Sequence, residues 1–224
     1  MSNEIELHSA PEVSQRQLQR SDWIRTALET LMADGIDAVQ ITTMSKSLSV
    51  TRGSFYWHFE NREALLAALI AEWRAKNSGT MAVALEKSAS LQDAILDLFA
   101  VWVDHEKFDP ALDQAVRDWA RRSSDVRSIV EKEDANRVAA IAAMFERFGF
   151  DETEAFIRAR VIYFTQLSYY ALNIDEPLAK RASYLSAYYR VFTGQEIEDR
   201  AASEFIDRVG AMVTTTPAKG PSRQ

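Results

Sequence analysis

Three observations predict that this 224-residue chain is all-α. Apolar residues recur at steps of three and four through most of its length. No run alternates apolar and polar residues as a half-buried strand would. Its seven glycines and five prolines punctuate the chain rather than populate it. About nine helices of ordinary length are expected.

The elements follow in order. Ile24, Leu28 and Leu31 step by four and three behind Ser21, a suitable N-cap. Ile41, Met44 and Leu48 repeat the spacing over a short segment, and Leu65, Leu66, Leu69, Ile70 and Trp73 continue it. Leu91, Ile95, Leu98 and Trp102 mark the next helix. Val138, Ile141, Phe145 and Phe148 mark a long one ending at Gly149. Ile157, Val161, Phe164, Leu167 and Ala171 define another, and Leu178, Ala182, Leu185, Tyr189 and Phe192 form a heptad-like seam. Gly35, Gly79, Gly149 and Gly194 stand as stops, while Pro110 and Pro177 look like first-turn prolines beside carboxylates.

Composition narrows the chemistry. Lys plus Arg number 26 against 33 Asp plus Glu, a net charge of −7, which argues against a positively charged coat over the whole surface. Cysteine is absent, and the three histidines, His8, His58 and His105, are far apart, so no metal site is expected. No cofactor is expected either, because there is no phosphate-cradling glycine loop. A nucleophile elbow is lacking as well, and the carboxylates Glu131 and Glu133 read as a charged helix face, so the chain is not expected to be an enzyme. Without an apolar leader or a membrane-length apolar run, the expectation is a cytoplasmic protein with no membrane partner.

The most specific segment lies between Val39 and Leu66. A short helix near Ile41–Leu48 is followed by Ser49-Val50 and then Thr51-Arg52-Gly53-Ser54-Phe55-Tyr56-Trp57-His58-Phe59. Two short helices joined by a tight turn form a helix-turn-helix, whose second helix fits a major groove. Thr51 is a suitable N-cap there, and its hydroxyl can also meet a phosphate. Phe55, Phe59, Met44 and Trp23 read as core. From Val39 to Arg62, Lys46, Arg52 and Arg62 face only Glu60, so the local charge is +2.

This stretch, with Asn61-Arg62-Glu63-Ala64-Leu65-Leu66 after it and Gly35-Ile-Asp-Ala-Val39 before it, resembles the DNA-binding domain of the TetR/AcrR transcriptional regulators over about Ser21 to Trp73. The resemblance implies an N-terminal three-helix helix-turn-helix domain followed by a helical ligand-binding and dimerisation domain. It also implies that Thr51 and Arg52 open the recognition helix and that Tyr56, His58 and Arg62 contact phosphate, with Arg62 where the family has Lys. Gly53 and Ser54 lie in the same run. Thr42, Thr43 and Lys46 fit either a solvated helix surface or a DNA contact, and Trp57 fits either stacking or shielding of the helix end. Ser49 stands where the family usually has Gly, and Ser45 where it usually has Ala, so a local backbone adjustment is expected.

The expected organisation is a flexible N-terminal arm at 1–20, the DNA-binding domain at 21–73, an effector and dimerisation domain at 74–210, and a disordered tail at 211–224. Arg16 and Arg20 fit either a phosphate-reaching arm or an idle leader. The expected partners are a double-stranded, near-palindromic DNA operator, a second copy of the chain through helices near 153–172 and 177–193, and an unidentified small-molecule effector. Phe99, Trp102, Trp119, Met144, Phe145, Tyr163 and Tyr170 are the candidate effector pocket. The reading is thus a ligand-responsive transcriptional repressor. An all-α small-molecule-binding protein without sequence-specific DNA binding is the alternative.

Overall fold

The computed structural model describes residues 18–174 and 176–215, and among them every regular element is helical. The helices are α1 (Arg20–Asp34), α2 (Ile41–Ser47), α3 (Arg52–Tyr56), α4 (Arg62–Arg74), α5 (Thr80–Lys87), α6 (Leu91–Val103), α7 (Pro110–Ala120), α8 (Ser124–Arg147), α9 (Glu152–Ala171), α10 (Leu178–Ser183), α11 (Leu185–Thr193) and α12 (Asp199–Thr215). Short polar side chains begin many of them. Asn61, Ser90, Asp109 and Asp151 each accept the backbone N–H three residues on, at 2.8–3.0 Å. Each such cap contributes about 1 kcal/mol.

Several boundaries differ from the sequence expectation. α1 starts at Arg20 with Gln19 as N-cap, and the Asp22 carboxylate accepts the Gln19 N–H at 2.9 Å, so Ser21 is not the cap. Arg20 therefore belongs to α1 and lies over the Phe59 ring at 4.7 Å, while Arg16 falls outside the described residues. Gly79 does not stop a helix: its φ is −62°, and α4 runs through a π-helical turn (Ala75–Gly79) into α5. The domain boundary expected at 73 is thus an unbroken helix. The single seam expected over Leu178–Phe192 is two helices that break at Tyr184, with Pro177 the N-cap of α10 instead of a first-turn residue. The tail expected from 211 begins inside α12, which reaches Thr215 and follows α11 as a further long helix.

Two hydrophobic cores organise the chain. One joins α5, α6, α8, α9, α11 and α12. The other holds Trp23, Leu31, Met44, Phe55, Leu65, Leu69 and Trp73 of α1–α4, together with Leu112, Val116 and Trp119 of α7 and Val126 and Val130 of α8. The N-terminal helices therefore do not close on themselves but share an apolar core with α7.

Beneath the π turn lies a buried ionic network. Asp113 accepts from Trp73 Nε1 at 2.8 Å, Arg117 Nε at 2.7 Å and Arg137 Nη1 at 3.2 Å. Arg117 grips Asp134 with both Nη groups, at 2.9 and 2.7 Å, and Tyr163 donates to the same carboxylate at 2.6 Å. Arg137, 2% exposed, also donates to Ser78, which donates to Glu133, the ion-pair partner of Arg74 at 2.9 Å. Glu133 is therefore not on a solvated face. Three carboxylates meet three guanidinia, which is what burial of full charges requires. The extra residue of the π turn points Asn77 inward. There its side chain exchanges two 3.0 Å hydrogen bonds with the Asp109 backbone. This network fixes α4, which carries the N-terminal helices, to α7 and α8.

Candidate nucleic-acid interface

The helix-turn-helix is built from the inside outward. Met44 on α2 and Phe55 on α3 are fully buried, and Phe55 meets Trp23 edge-on at 5.2 Å and stacks with Phe59 at 5.4 Å. These anchors leave the opposite sides of α2 and α3 in solvent. Thr42, Thr43, Lys46, Thr51, Arg52, Gly53, Tyr56 and Trp57 are exposed, and Ser54 and His58 are half-buried. Tyr56 is 53% exposed and Trp57 87%. Trp57 thus presents its indole to solvent beside Tyr56.

The turn makes this geometry possible. Ser49 has φ +55°, in the left-handed region, and Val50 N–H closes on Ser45 O at 2.9 Å. A non-glycine residue there costs about 1 kcal/mol or more, which is the local adjustment expected where the family usually has Gly. Ser45 is buried and its hydroxyl donates to Ile41 O at 2.7 Å, so a Ser at that position is satisfied without reaching outward. Thr51 is the N-cap residue of α3 by position, but its hydroxyl caps no backbone N–H, which leaves the hydroxyl for another partner. The recognition helix itself is shorter than the motif: α3 ends at Tyr56, and Trp57 and His58 lie in the turn that follows.

Arg62 has a structural task that its sequence position did not reveal. Its guanidinium donates to Val39 O at 2.7 Å and to Ile36 O at 3.1 Å, pinning the loop that leads into α2. These two bonds use Nε and Nη2 of the guanidinium.

Gly53 is not demanded by the protein. A Cβ built there would meet only Thr51 Oγ1, at 3.6 Å, an ordinary contact. Gly53→Ala is therefore expected to leave the unfolding free energy unchanged or raised by no more than about 1 kcal/mol. If DNA approaches this backbone, the same variant weakens operator binding about tenfold; unchanged affinity in a titration would show that it does not.

Residues 24–69 match the family model for bacterial regulatory proteins of the tetR family. Over these residues, the chain is similar to the tetR family. Tetracycline repressor protein class C of Escherichia coli is 44% identical over 52 residues, 23% of this chain and 24% of that protein. The class A repressor from transposon 1721, also of Escherichia coli, is 38% identical over 60 residues, 27% and 28% of the two chains. In sequence, the chain thus covers about a quarter of these relatives.

The fold likeness runs further. A transcriptional regulator from Rhodococcus sp. Rha1 superposes with a TM-score of 0.54 at 14% identity, covering 88% of this chain and 97% of that one. The reduced form of Escherichia coli NemR superposes with a TM-score of 0.53 at 17% identity, over 86% and 96%. At such identities the likeness speaks for the all-α architecture with an N-terminal helix-turn-helix. The family model describes bacterial regulatory proteins.

The seven residues expected to line one effector pocket do not come together. Phe99 and Trp102 line an apolar cavity among α6, α9, α10, α11 and α12. Trp119 and Tyr170 border a separate open cleft, about 840 Å³, between α1 and the α7 and α9 surfaces. Met144 and Phe145 are core, and Tyr163 belongs to the buried ionic network. Sequence reasoning supplied aromatic residues but could not separate wall from core. The missed lining residues Gln166, Arg181, Tyr188, Phe205 and Val209 include two from α12, whose Ala202, Phe205 and Val209 spacing was the available signal. His105 is exposed in the turn after α6, and no metal-binding cluster occurs among the described residues.

Proposed function

We propose that the protein is a one-component, ligand-responsive transcriptional regulator, a repressor, that binds a near-palindromic operator as a homodimer. The observation that carries this reading is the exposed polar and aromatic surface of α2 and α3, held rigid by Met44 and Phe55 beneath it. Thr51, Arg52, Tyr56 and His58 serve as groove and phosphate contacts, with Thr42, Thr43 and Lys46 flanking them. Ser54, Gly53 and Trp57 complete the surface, and Arg62 adds a phosphate contact to its structural task. The local charge of +2 on an otherwise acidic chain suits selective rather than indiscriminate binding. No helix among the described residues is long and apolar enough to cross a membrane, which agrees with work on DNA in the cytoplasm.

Dimerisation is supported by α9. Phe156, Ile157, Val161 and Phe164 are 42–52% exposed along one stripe, and Arg160 lies over the Phe156 and Phe164 rings at 5.5 and 5.0 Å. From the expected second helix, α11 adds Val191, 69% exposed, while α10 adds no apolar anchor among its described side chains. A second copy covering this stripe would supply the second recognition helix that successive major grooves, about 34 Å apart, require.

Selection from random duplex DNA at fixed salt tests the reading. Enrichment of an inverted repeat is expected, and enrichment of nothing would leave a small-molecule-binding protein without sequence-specific DNA binding. On the selected site, Arg52→Ala is expected to flatten the log–log salt dependence by about 0.9. Arg62→Ala should flatten it comparably and also lower the melting temperature, because two carbonyls lose their donor. A lowered melting temperature with an unchanged slope would restrict Arg62 to its structural task.

A further inference from the structure

The apolar cavity contains a cation and an amide whose strongest potential partner is missing. Its walls are Phe99 and Trp102 of α6, Phe192 of α11 and Phe205 of α12, and its volume is about 90 Å³. Arg181 of α10 lines it with its guanidinium stacked over the Tyr169 ring at 4.6 Å. The polar contact that Arg181 makes is a long 3.4 Å hydrogen bond to Gln166 Oε1, and no carboxylate among the described residues lies within ion-pair distance of it. Glu176, five residues before it, is engaged by Lys180 at 3.3 Å and by the Tyr169 hydroxyl at 3.1 Å. Gln166 faces the same cavity, and its buried Nε2 makes no hydrogen bond of normal geometry. That amide does lie close enough to Tyr170 to favour the phenolate, against the burial that raises the phenol's pKa.

A guanidinium at the wall of an apolar pocket, beside an underused amide donor, matches a carboxylate and an attached ring. The carboxylate would take charge-assisted hydrogen bonds from both groups, and the ring would fill the aromatic walls. At about 90 Å³ the cavity is smaller than one of about 150 Å³ that admits benzene, so a ring enters only as the pocket widens. Growth of the pocket is opposed weakly, because α10 buries none of its described side chains.

We infer that this cavity is a binding site for a small aromatic carboxylic acid, with Arg181 and Gln166 holding the carboxylate. Its role as the effector site rests on the regulator reading above; binding itself does not. The acid site is therefore tested without DNA, by calorimetric titration of the full-length protein with benzoate and 1-naphthoate against benzamide and 1-naphthamide. Each acid is expected to bind at least tenfold more tightly than its amide, a preference read on the unmodified protein. Arg181→Gln should erase that preference, and Arg181→Lys should keep part of it. Equal affinity for acid and amide, no binding of any of the four, or an unchanged preference in Arg181→Gln would overturn the assignment. Gel shifts on the selected operator separate the two readings: loss of sequence-specific DNA binding removes the regulator and leaves the acid site standing.

Discussion

Asp113→Ala is expected to lower the unfolding free energy by about 3–5 kcal/mol, the cost of breaking a buried ion pair from one side. The carboxylate is 2% exposed and receives Trp73, Arg117 and Arg137. Its removal leaves the Trp73 indole N–H without an acceptor and Arg137, itself 2% exposed, short of negative charge. Burial alone would raise the Asp113 pKa, but the charges of Arg137 and Arg117 and the hydrogen bonds of Arg117 and Trp73 hold it below the ordinary carboxylate value. The sign for stability follows: the contribution is present above about pH 4 and is lost as pH falls through the depressed folded value. Urea unfolding at pH 7 and at pH 3 checks both points. The difference between wild type and variant should be several kcal/mol at pH 7 and smaller at pH 3. A difference below about 1 kcal/mol at pH 7 would mean that the network contributes little net stability.

The same network shows where sequence reasoning stops. Asp113 and Arg117, four apart, and Asp134 and Arg137, three apart, have the spacing of ordinary surface pairs on helices. Only packing of α7 against α8, with Trp73 and the π turn above them, buries Asp113 and Arg137 and half-buries Arg117 and Asp134, and no local pattern encodes that. The π turn was equally hidden, because Gly79 suggests a stop while the inward hydrogen bonds of Asn77 sustain the helix through it. The α10–α11 break at Tyr184 carries neither Gly nor Pro, so a continuous heptad pattern concealed it. By contrast, the helix-turn-helix was legible. Its apolar spacing, the exposed Thr51, Arg52, Tyr56 and Trp57 and the anchors Met44 and Phe55 are local properties that tertiary context left in place. The candidate pocket was legible only as a supply of aromatics; Arg181 and Gln166 acquire meaning from the helices that converge on them.

The second large effect is expected at the α9 stripe. Ile157 and Val161 are one turn apart, 52% and 45% exposed, and lie over a shallow cleft shared with Val191 and Phe192. Ile157→Glu combined with Val161→Glu places two carboxylates where water already reaches, so the monomer should unfold near the wild-type midpoint. If a second copy covers this stripe, the same carboxylates must be desolvated against apolar side chains. The expected penalty of about 2 kcal/mol or more for each would weaken the dimer by at least 10²-fold. Operator retention should fall with it, because each α3 alone spans only one half-site. Sedimentation at micromolar protein should then show monomers, and single half-site duplexes should bind wild type and variant with the same weak affinity. A variant that remains dimeric would place the contact on another surface. A variant that is monomeric yet binds the full operator as tightly as wild type would remove the geometric link between the α9 stripe and DNA recognition.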